Sequence, residues 1–471
     1  MKLDFSRIEP RLLDAARTIA DLVRRAGGRA LTVGGAVRDL VLGASVKDVD
    51  IEVFGLDAGA LRSVVGEKFR FDECGASFGV LKIKGVDIDV SLPRRESKIA
   101  EGHRGFLVGH DPSMTVAEAS LRRDFTINAM YCDPLSEEFI DPHGGLVDLE
   151  SKTLRHVSER FREDPLRVLR GMQFVARFDL SPAPETVEIC RSMTIENLPP
   201  ERIFEEWSKF FTKGVAMAKG MNFLRDVGWV RYFPELEALI GCRQDPEWHP
   251  EGDVWNHTCN CLNAFARERV GDRDEDVIVG FAVLCHDFGK PATTRWDPVK
   301  RRFRSLGHDL AGVEPALSFL RRFTNEERIL RAVPPLVQYH MQPYALWRGK
   351  VGDAAIRRLA LKVGRIDRLL RVASADDQGR YAEPDPASAH GTAPELRWLA
   401  GEAERLRLEA CAPKPIFLGR HLIEMGYKPG PGFAPMLDAV FQAQLDGKFA
   451  DLQGAREFFM RRVAEMRKGK P

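Results

Sequence analysis

The chain runs to 471 residues, more than a single compact core accommodates and the length of about three domains. Its 44% hydrophobic and 30% charged residues describe an ordinary soluble globular protein, with no apolar run near the roughly 20 residues of a membrane span. A formal net charge of +1 excludes a globally basic surface, so any polyanion must be met by a local patch balanced by acids elsewhere.

The first segment, MKLDFSRIEPRLLDAARTIADLV, reads as an amphipathic helix carrying acidic residues. It has neither the apolar core of a signal peptide nor the acid-poor composition of a transit peptide, and a cytoplasmic location is expected. The 8 cysteines are scattered; the closest pair, Cys259 and Cys261, has no second pair at zinc-site spacing, so core thiols are expected. Strand-like runs follow at residues 30–35, 48–54, 79–84 and 86–92, with helical segments between them, and from about residue 151 the apolar period is helical almost throughout. Strands followed by a long helical remainder imply an α+β fold: a head with a small mixed sheet, then all-α domains. Breaks at Pro199-Pro200, Pro246 to Gly252, Pro334-Pro335, Pro384 to Pro394 and Pro413 to Pro415 suggest a head (1–150), a helical neck (151–240), a histidine-bearing domain (241–390) and a C-terminal helical module (391–471).

Within the head, Gly34-Gly35 closes a strand and opens a helix, a turn that suits either a phosphate or plain chain reversal, with Arg38 one turn further on. Asp48 and Asp50 then lie two apart on a predicted strand, so their carboxylates share a face. Asp87 and Asp89 repeat that spacing on a later strand. Paired acids repel unless a cation joins them, and three carboxylates suit a Mg²⁺-dependent phosphoryl-transfer site. The string LRRDFTINAM (121–130) adds Arg123, Asp124 and Asn128, residue types that hold phosphate and a sugar hydroxyl. In EDPLRVLRGMQFVARF (163–178), Asp164 and Arg167 are three apart; by spacing alone an ion pair on a solvated helix face is the favoured reading.

The middle of the chain places His257, His286, Asp287, His308, His340 and Asp376 on successive helical segments. Imidazole and carboxylate together suit borderline divalent ions such as Ni, Mn, Co, Fe or Zn. Lys290, in CHDFGK, is placed either to steady a phosphate or to cap a helix. The last stretch holds Arg456, Arg461, Arg462, Arg467, Lys468 and Lys470, a frayed solvated terminus or a patch for phosphates.

These strings carry a family resemblance. GGAVRDLVLG with DVD, RRDFTINAM, DPHGGLVDL, EDPLRVLRGMQFVARF and ERIFEEWSKFF recur in order over about the first 210 residues and resemble the class II tRNA nucleotidyltransferases, or CCA-adding enzymes, whose head is shared with bacterial poly(A) polymerases. The resemblance implies that Gly34, Gly35 and Arg38 hold the triphosphate and that Asp48 and Asp50 bind Mg²⁺, with Asp89 the third carboxylate. It also implies that Arg123 and Asp124 engage phosphate and ribose, with Asn128 in the same nucleotide site. Asp164 and Arg167 would read the incoming base, oriented by Glu163, which replaces the ion-pair reading of that helix. tRNA, CTP and ATP would be the partners, with no membrane and a monomeric or homodimeric state.

The middle segment resembles the HD superfamily of metal phosphohydrolases. His257, His286, Asp287 and Asp376 match its basic ligand set, and His308 and His340 match the pair that holds a second transition metal in some members. Segment 415–449 resembles the C-terminal module of the same bacterial group, although His421 stands where an acid is frequent. Sister activities stay open at this stage: poly(A), CC-only or A-only addition, with the loop 97–120 as the region that should differ. So does an inactive RNA-binding head behind which only the HD domain works.

Overall fold

The computed structural model describes residues 3–74, 79–98, 106–381 and 393–468. Two compact units divide the chain, Met1–Tyr232 and Phe233–Pro471.

The first unit opens with helix α1 (Pro10–Arg25), which starts on a proline at its first turn and buries Leu12, Ile19, Leu22 and Val23 along one stripe. Strand β1 (Arg29–Val33), helix α2 (Gly35–Val41) and strands β2 (Val49–Phe54), β3 (Phe71–Cys74), β4 (Val80–Ile83), β5 (Ile88–Ser91), β6 (Tyr131–Cys132) and β7 (Phe139–Ile140) complete the head. The seven strands lie in the order β3-β4-β5-β2-β1-β6-β7. β2 runs antiparallel to β1 and parallel to β5, so the sheet is mixed as expected. Its centre is apolar: Val49, Ile51 and Val53 on β2 and Ile88 and Val90 on β5 are buried. The edge strands escape a sequence reading because β6 and β7 have two residues each and β3 is half acidic.

Among the helices that follow in the same unit are α3 (Leu166–Phe178), α4 (Pro200–Lys213) and α5 (Met217–Asp226). Trp207, Phe210, Phe211 and Phe223 form their buried core. α5 crosses α3 at Gly220, where a Cβ would meet the Met172 carbonyl oxygen at 2.7 Å, so a larger residue would force the helices apart.

The second unit is built on α6 (Val254–Arg267), α7 (Arg273–Cys285), a ribbon of β8 (Thr294–Asp297) and β9 (Arg302–Ser305), α8 (His308–Ala311), α9 (Glu327–Tyr339) and α10 (Ile366–Gln378). The ribbon corrects the expectation of helices alone; four-residue strands rich in arginine carry no apolar alternation to betray them. Pro334-Pro335 was expected as a break, yet both prolines lie inside α9. Burial of Val333, Pro334, Leu336 and Val337 on one side overrides the local preference. The C-terminal helices α11 (Gly419–Glu424), α12 (Phe433–Leu445) and α13 (Leu452–Lys468) enclose Phe417, Leu422, Val440, Ala455 and Phe459. His421 Nδ1 accepts from the Leu418 backbone N–H at 2.9 Å at the start of α11, the capping work an acid would do there. Arg456 pairs with Glu424, and Arg461 and Arg462 are exposed; Lys470 lies outside the described residues. Among those residues no helix is long and apolar enough to cross a membrane.

Candidate functional site

In the head, the register of β2 against β5 sets Asp50 directly beside Asp89. Asp48 stands exposed just before β2. Asp87 precedes β5, where its backbone carbonyl accepts from the Val49 N–H at 3.0 Å, so Asp89 rather than Asp87 is the acid beside Asp50. Lys82 Nζ lies 3.4 Å from Asp89 Oδ2. The Asp50 side chain opens to solvent, yet the protein mass around it raises its carboxyl above the ordinary range, with Arg123 opposing and Asp48, Asp89 and Glu52 adding repulsion. Among the described residues these three acids do not close to within 4.8 Å of one another as the histidine clusters of the second unit do. The chemistry of the donor set, oxygen only and mutually repulsive, fits Mg²⁺.

Gly34 makes the close approach possible. Its φ of +76° suits glycine, and a Cβ there would lie 3.3 Å from Arg123 Nη1 and 3.7 Å from Asp50 Oδ2. Gly35 follows as the first residue of α2. Arg38 is placed differently from expectation. It is buried, donates to Asn128 Oδ1 at 2.5 Å and to Asp39, and its guanidinium carbon lies 4.5 Å from the Phe178 ring centroid. Asn128 in turn donates to Asp124 Oδ1 at 3.1 Å, and Asp124 Oδ2 accepts from Arg170 Nε at 2.8 Å. Burial pushes the Asp124 carboxyl up, but Arg170 and Asn128 outweigh it and hold the group below the usual range.

Glu52, which no sequence pattern singled out, anchors the arginines. It has no solvent exposure. It accepts from Arg122 Nη2 at 2.6 Å and from the Tyr131 hydroxyl at 2.8 Å, and Arg123 Nη2 lies 3.6 Å away. Burial raises the Glu52 carboxyl, and Arg123, Arg122 and Tyr131 more than reverse the shift. The available signal was its place two residues after Asp50 on the same strand face.

Asp164 lies just before α3 and Arg167 in its first turn. They do not form an intrahelical pair: Asp164 is gripped by Arg202 of α4 at 2.7 Å, while Arg167 donates to the backbone carbonyls of Arg160, at 2.7 Å, and Arg122. Glu163 is half-buried beside them and acts on the Arg167 charge. The region 97–120 is only partly described, since 99–105 fall outside.

All six ligand candidates of the second unit converge. Ligand atoms of His257, Cys261, His286 and Asp376 lie within 4.8 Å of one another, as do those of Asp287, His308 and His340. His308 Nε2 and His340 Nε2 are 3.3 Å apart, and Asp287 bridges the groups, 3.2 Å from His286 and 3.4 Å from His308. Three histidines are aimed by backbone carbonyls three residues back: His286 Nδ1 donates to Val283, His308 to Ser305 and His340 to Val337, at 2.7, 2.8 and 2.7 Å. In the neutral imidazole that such a bond favours, Nε2 is the nitrogen that keeps its lone pair for a ligand. His257 differs; its Nδ1 meets Glu251 Oε1 at 2.7 Å, and the same oxygen meets His249 Nδ1 at 2.9 Å.

A divalent cation fits this cluster, because His286 Nε2 and both Asp287 oxygens are buried without a well-directed hydrogen bond. Burial, with His286 and His308 nearby, pushes the His340 imidazole down to about 4, the neutral form that ligation requires. Lys290 Nζ lies 2.6 Å from Asp287 Oδ2. A cavity of about 230 Å³ opens over the cluster, walled by Trp248, Arg302, Phe303, Arg304 and Arg380. Gly289 is required beneath it, since a Cβ would lie 2.0 Å from the His308 carbonyl oxygen.

The chain matches the model of the poly A polymerase head domain over residues 30–155, and that of the probable RNA and SrmB-binding site of polymerase A over 179–240. It is 35% identical over 381 residues to a "Multifunctional CCA protein" of Xanthomonas campestris pv. campestris, covering 78% of this chain and 88% of the relative. A protein of the same description from Xylella fastidiosa is 35% identical over 369 residues, covering 75% and 84%. The fold is shared with the Bacillus stearothermophilus CCA-adding enzyme in complex with CTP (TM-score 0.65, 22% identity, 98% of this chain and 100% of that one). It is also shared with the Thermotoga maritima CCA-adding enzyme complexed with tRNA (TM-score 0.59, 17% identity, 98% and 100%).

Two outcomes follow from these geometries. Glu52→Ala leaves two arginines buried without their counter-charge and should cost about 3–5 kcal/mol of unfolding free energy; denaturant unfolding that matches the parent chain would show that Glu52 does not anchor them. Glu251→Gln should weaken divalent-ion binding to the second unit by about 10–100-fold, read by titration calorimetry with Mn²⁺. Unchanged affinity would mean that His257 is oriented without it.

Proposed function

Because the chain belongs to the class II CCA-adding enzyme and poly(A) polymerase family, we propose that it adds or repairs the 3′-terminal CCA of tRNA from CTP and ATP, and that its second unit is a metal-dependent phosphohydrolase of the HD type. The observation that carries the first activity is Asp50 beside Asp89, with Gly34 and Arg123 against the same carboxylate. Bound there, two Mg²⁺ ions would supply Lewis acidity and neutralise triphosphate charge. Asp48, Asp50 and Asp89 hold them, and Gly34, Gly35 and Arg123 cradle the triphosphate.

The tRNA 3′-hydroxyl attacks the α-phosphorus, the bond to pyrophosphate breaks, and the hydroxyl proton leaves. Positioning and charge stabilisation do most of the work. Asp124, fixed by Arg170 and Asn128, offers its carboxylate to a ribose hydroxyl. Arg38 supports Asn128 from beneath rather than reaching phosphate itself. Asp164 and Arg167 read the Watson–Crick edge of C and then A; for this, Asp164 must share or exchange its Arg202 partner.

In the second unit, His257, His286, Asp287 and Asp376 would hold a transition-metal ion, and His308 and His340 would serve a second. A bound divalent ion there lowers the pKa of water. Lys290 and the arginines of the cavity wall bind the phosphate ester; the oxygen of water bonds to phosphorus as the ester P–O bond breaks, one water proton passes to the leaving ribose oxygen and the other stays with the phosphate. Such a step on a blocked RNA 3′ end restores the hydroxyl that the head needs as nucleophile. A cytoplasmic site of action agrees with these substrates.

Extension of tRNA transcripts ending before CCA, after C and after CC, with sequencing of the products, tests the first activity. Ordered C, C and A followed by arrest is expected, and Asp48→Ala should reduce it at least 10³-fold, an order common for lost charge stabilisation. CC alone, a single A or an unbounded A tail would assign a sister activity instead. His286→Ala with Asp287→Ala should remove hydrolysis of a 2′,3′-cyclic nucleotide in Mn²⁺ while CCA addition continues. Loss of both activities together would make the HD cluster a structural support.

A further inference from the structure

Beside the metal cluster, the β8–β9 ribbon builds a feature that phosphate-ester hydrolysis does not need. Cross-strand partners share a face, so Trp296 stands with Phe303 on one side and Arg295 with Arg304 on the other. The Trp296 and Phe303 rings meet edge to face at 5.1 Å, and the Arg243 guanidinium lies 5.7 Å from the Phe303 centroid. Yet Trp296 is 53% exposed, where Trp207, Trp229 and Trp255 are fully buried. A core function does not account for it.

These side chains, with Lys300 and Arg301, line a groove of about 590 Å³. Gln244, Asp245, His249, Arg302 and Phe303 line both this groove and the cavity over the cluster, so the two form one trough leading away from the metal ligands. Two of the three acids that line the groove are engaged by the protein, and the third, Glu247, is exposed. Asp245 accepts from the Glu247 N–H at 3.0 Å and lies 3.4 Å from Arg302; Asp253 accepts from the Gly241 and Asn256 N–H groups at 2.7 and 2.9 Å. Lys300 and Arg301 face solvent. Exposed aromatic faces interleaved with cations are what a single-stranded nucleic acid requires, because bases stack on the rings while phosphates follow the charges. A free phosphate monoester needs the cavity over the cluster and nothing beyond it.

We propose that the trough is a subsite for single-stranded RNA, holding the nucleotides on the 5′ side of the terminal phosphate ester that the HD cluster hydrolyses. Trp296 and Phe303 stack the bases, and Lys300, Arg301 and Arg302 track the backbone. This assignment rests on the phosphohydrolase reading and deepens it: the preferred substrate is a polyribonucleotide terminus, the polymer that the first unit extends, and not a mononucleotide.

A length series of 3′-phosphorylated oligoribonucleotides, from one to six nucleotides, tests it with the full chain in Mn²⁺. kcat/KM should rise about tenfold or more from the mononucleotide to the trinucleotide, the order one stacked base supplies, and then level off. Trp296→Ala and Arg301→Glu should lower the ratio of trinucleotide to mononucleotide kcat/KM through KM rather than kcat, and Trp296→Phe should restore most of it. A flat length series in a chain that hydrolyses the mononucleotide overturns the subsite and leaves the phosphohydrolase standing. Failure to hydrolyse any ester, p-nitrophenyl phosphate included, overturns both.

Discussion

Glu52 is a carboxylate with no solvent exposure at the centre of a β-sheet, and such a group persists only if donors surround it. Arg122, Arg123 and Tyr131 provide them. The constraint works outward from there. Holding Arg123 against Glu52 puts its guanidinium beside Gly34 and Asp50, so the cation and the acid proposed to meet phosphate and metal are fixed by one strand. Holding Arg122 fixes the backbone whose carbonyl receives Arg167. One buried charge thereby sets the position of groups in three of the five motifs.

A second buried chain carries the same order into the helices: Asp39, Arg38, Asn128, Asp124 and Arg170 follow one another by hydrogen bonds, and Glu206 of α4 lies 3.8 Å from Arg170. A hydrogen-bonded network in low dielectric is rigid, because loosening any member leaves a neighbour unpaired. That rigidity has a functional consequence. The residues proposed to read the base sit at the start of α3, the helix that also carries Arg170, so on that proposal base selection and ribose positioning belong to one framework. Specificity and catalysis would then be pre-organised together, as a protein that replaces a nucleic-acid template requires.

What the sequence disclosed and what it withheld divide along physical lines. Alternation marked β2 and β5, and the two-residue spacings of Asp48 with Asp50 and of Asp87 with Asp89 put acids on shared faces, because both are local properties of an extended chain. Asp124 and Arg167 were visible as residue types, but their partners Arg170 and the Arg160 and Arg122 carbonyls come from packing that no periodicity encodes. Arg38 is the instructive case: its spacing from Gly34 suggested a phosphate ligand, and its burial against Phe178 and Asn128 gives it a supporting task. In the second unit the six ligands were legible as an ordered set of histidines and acids. Glu251 was not, since a carboxylate two residues after His249 is unremarkable until α6 brings His257 onto it.

The two candidate metal sites differ in donor chemistry, and that difference would let one chain carry both. The head presents carboxylate oxygens alone, hard donors on an open strand end that suit a strongly hydrated ion and leave room for its waters and for triphosphate oxygens. The second unit presents four imidazoles with two carboxylates, enclosed and aimed by Val283, Ser305, Val337 and Glu251. Nitrogen donors favour transition ions by orders of magnitude over Mg²⁺, and enclosure removes the waters that Mg²⁺ keeps. With both sites loaded as proposed, transition metal would be drawn to the histidine cluster and Mg²⁺ left to the carboxylates, because the protein sets ligand softness and access.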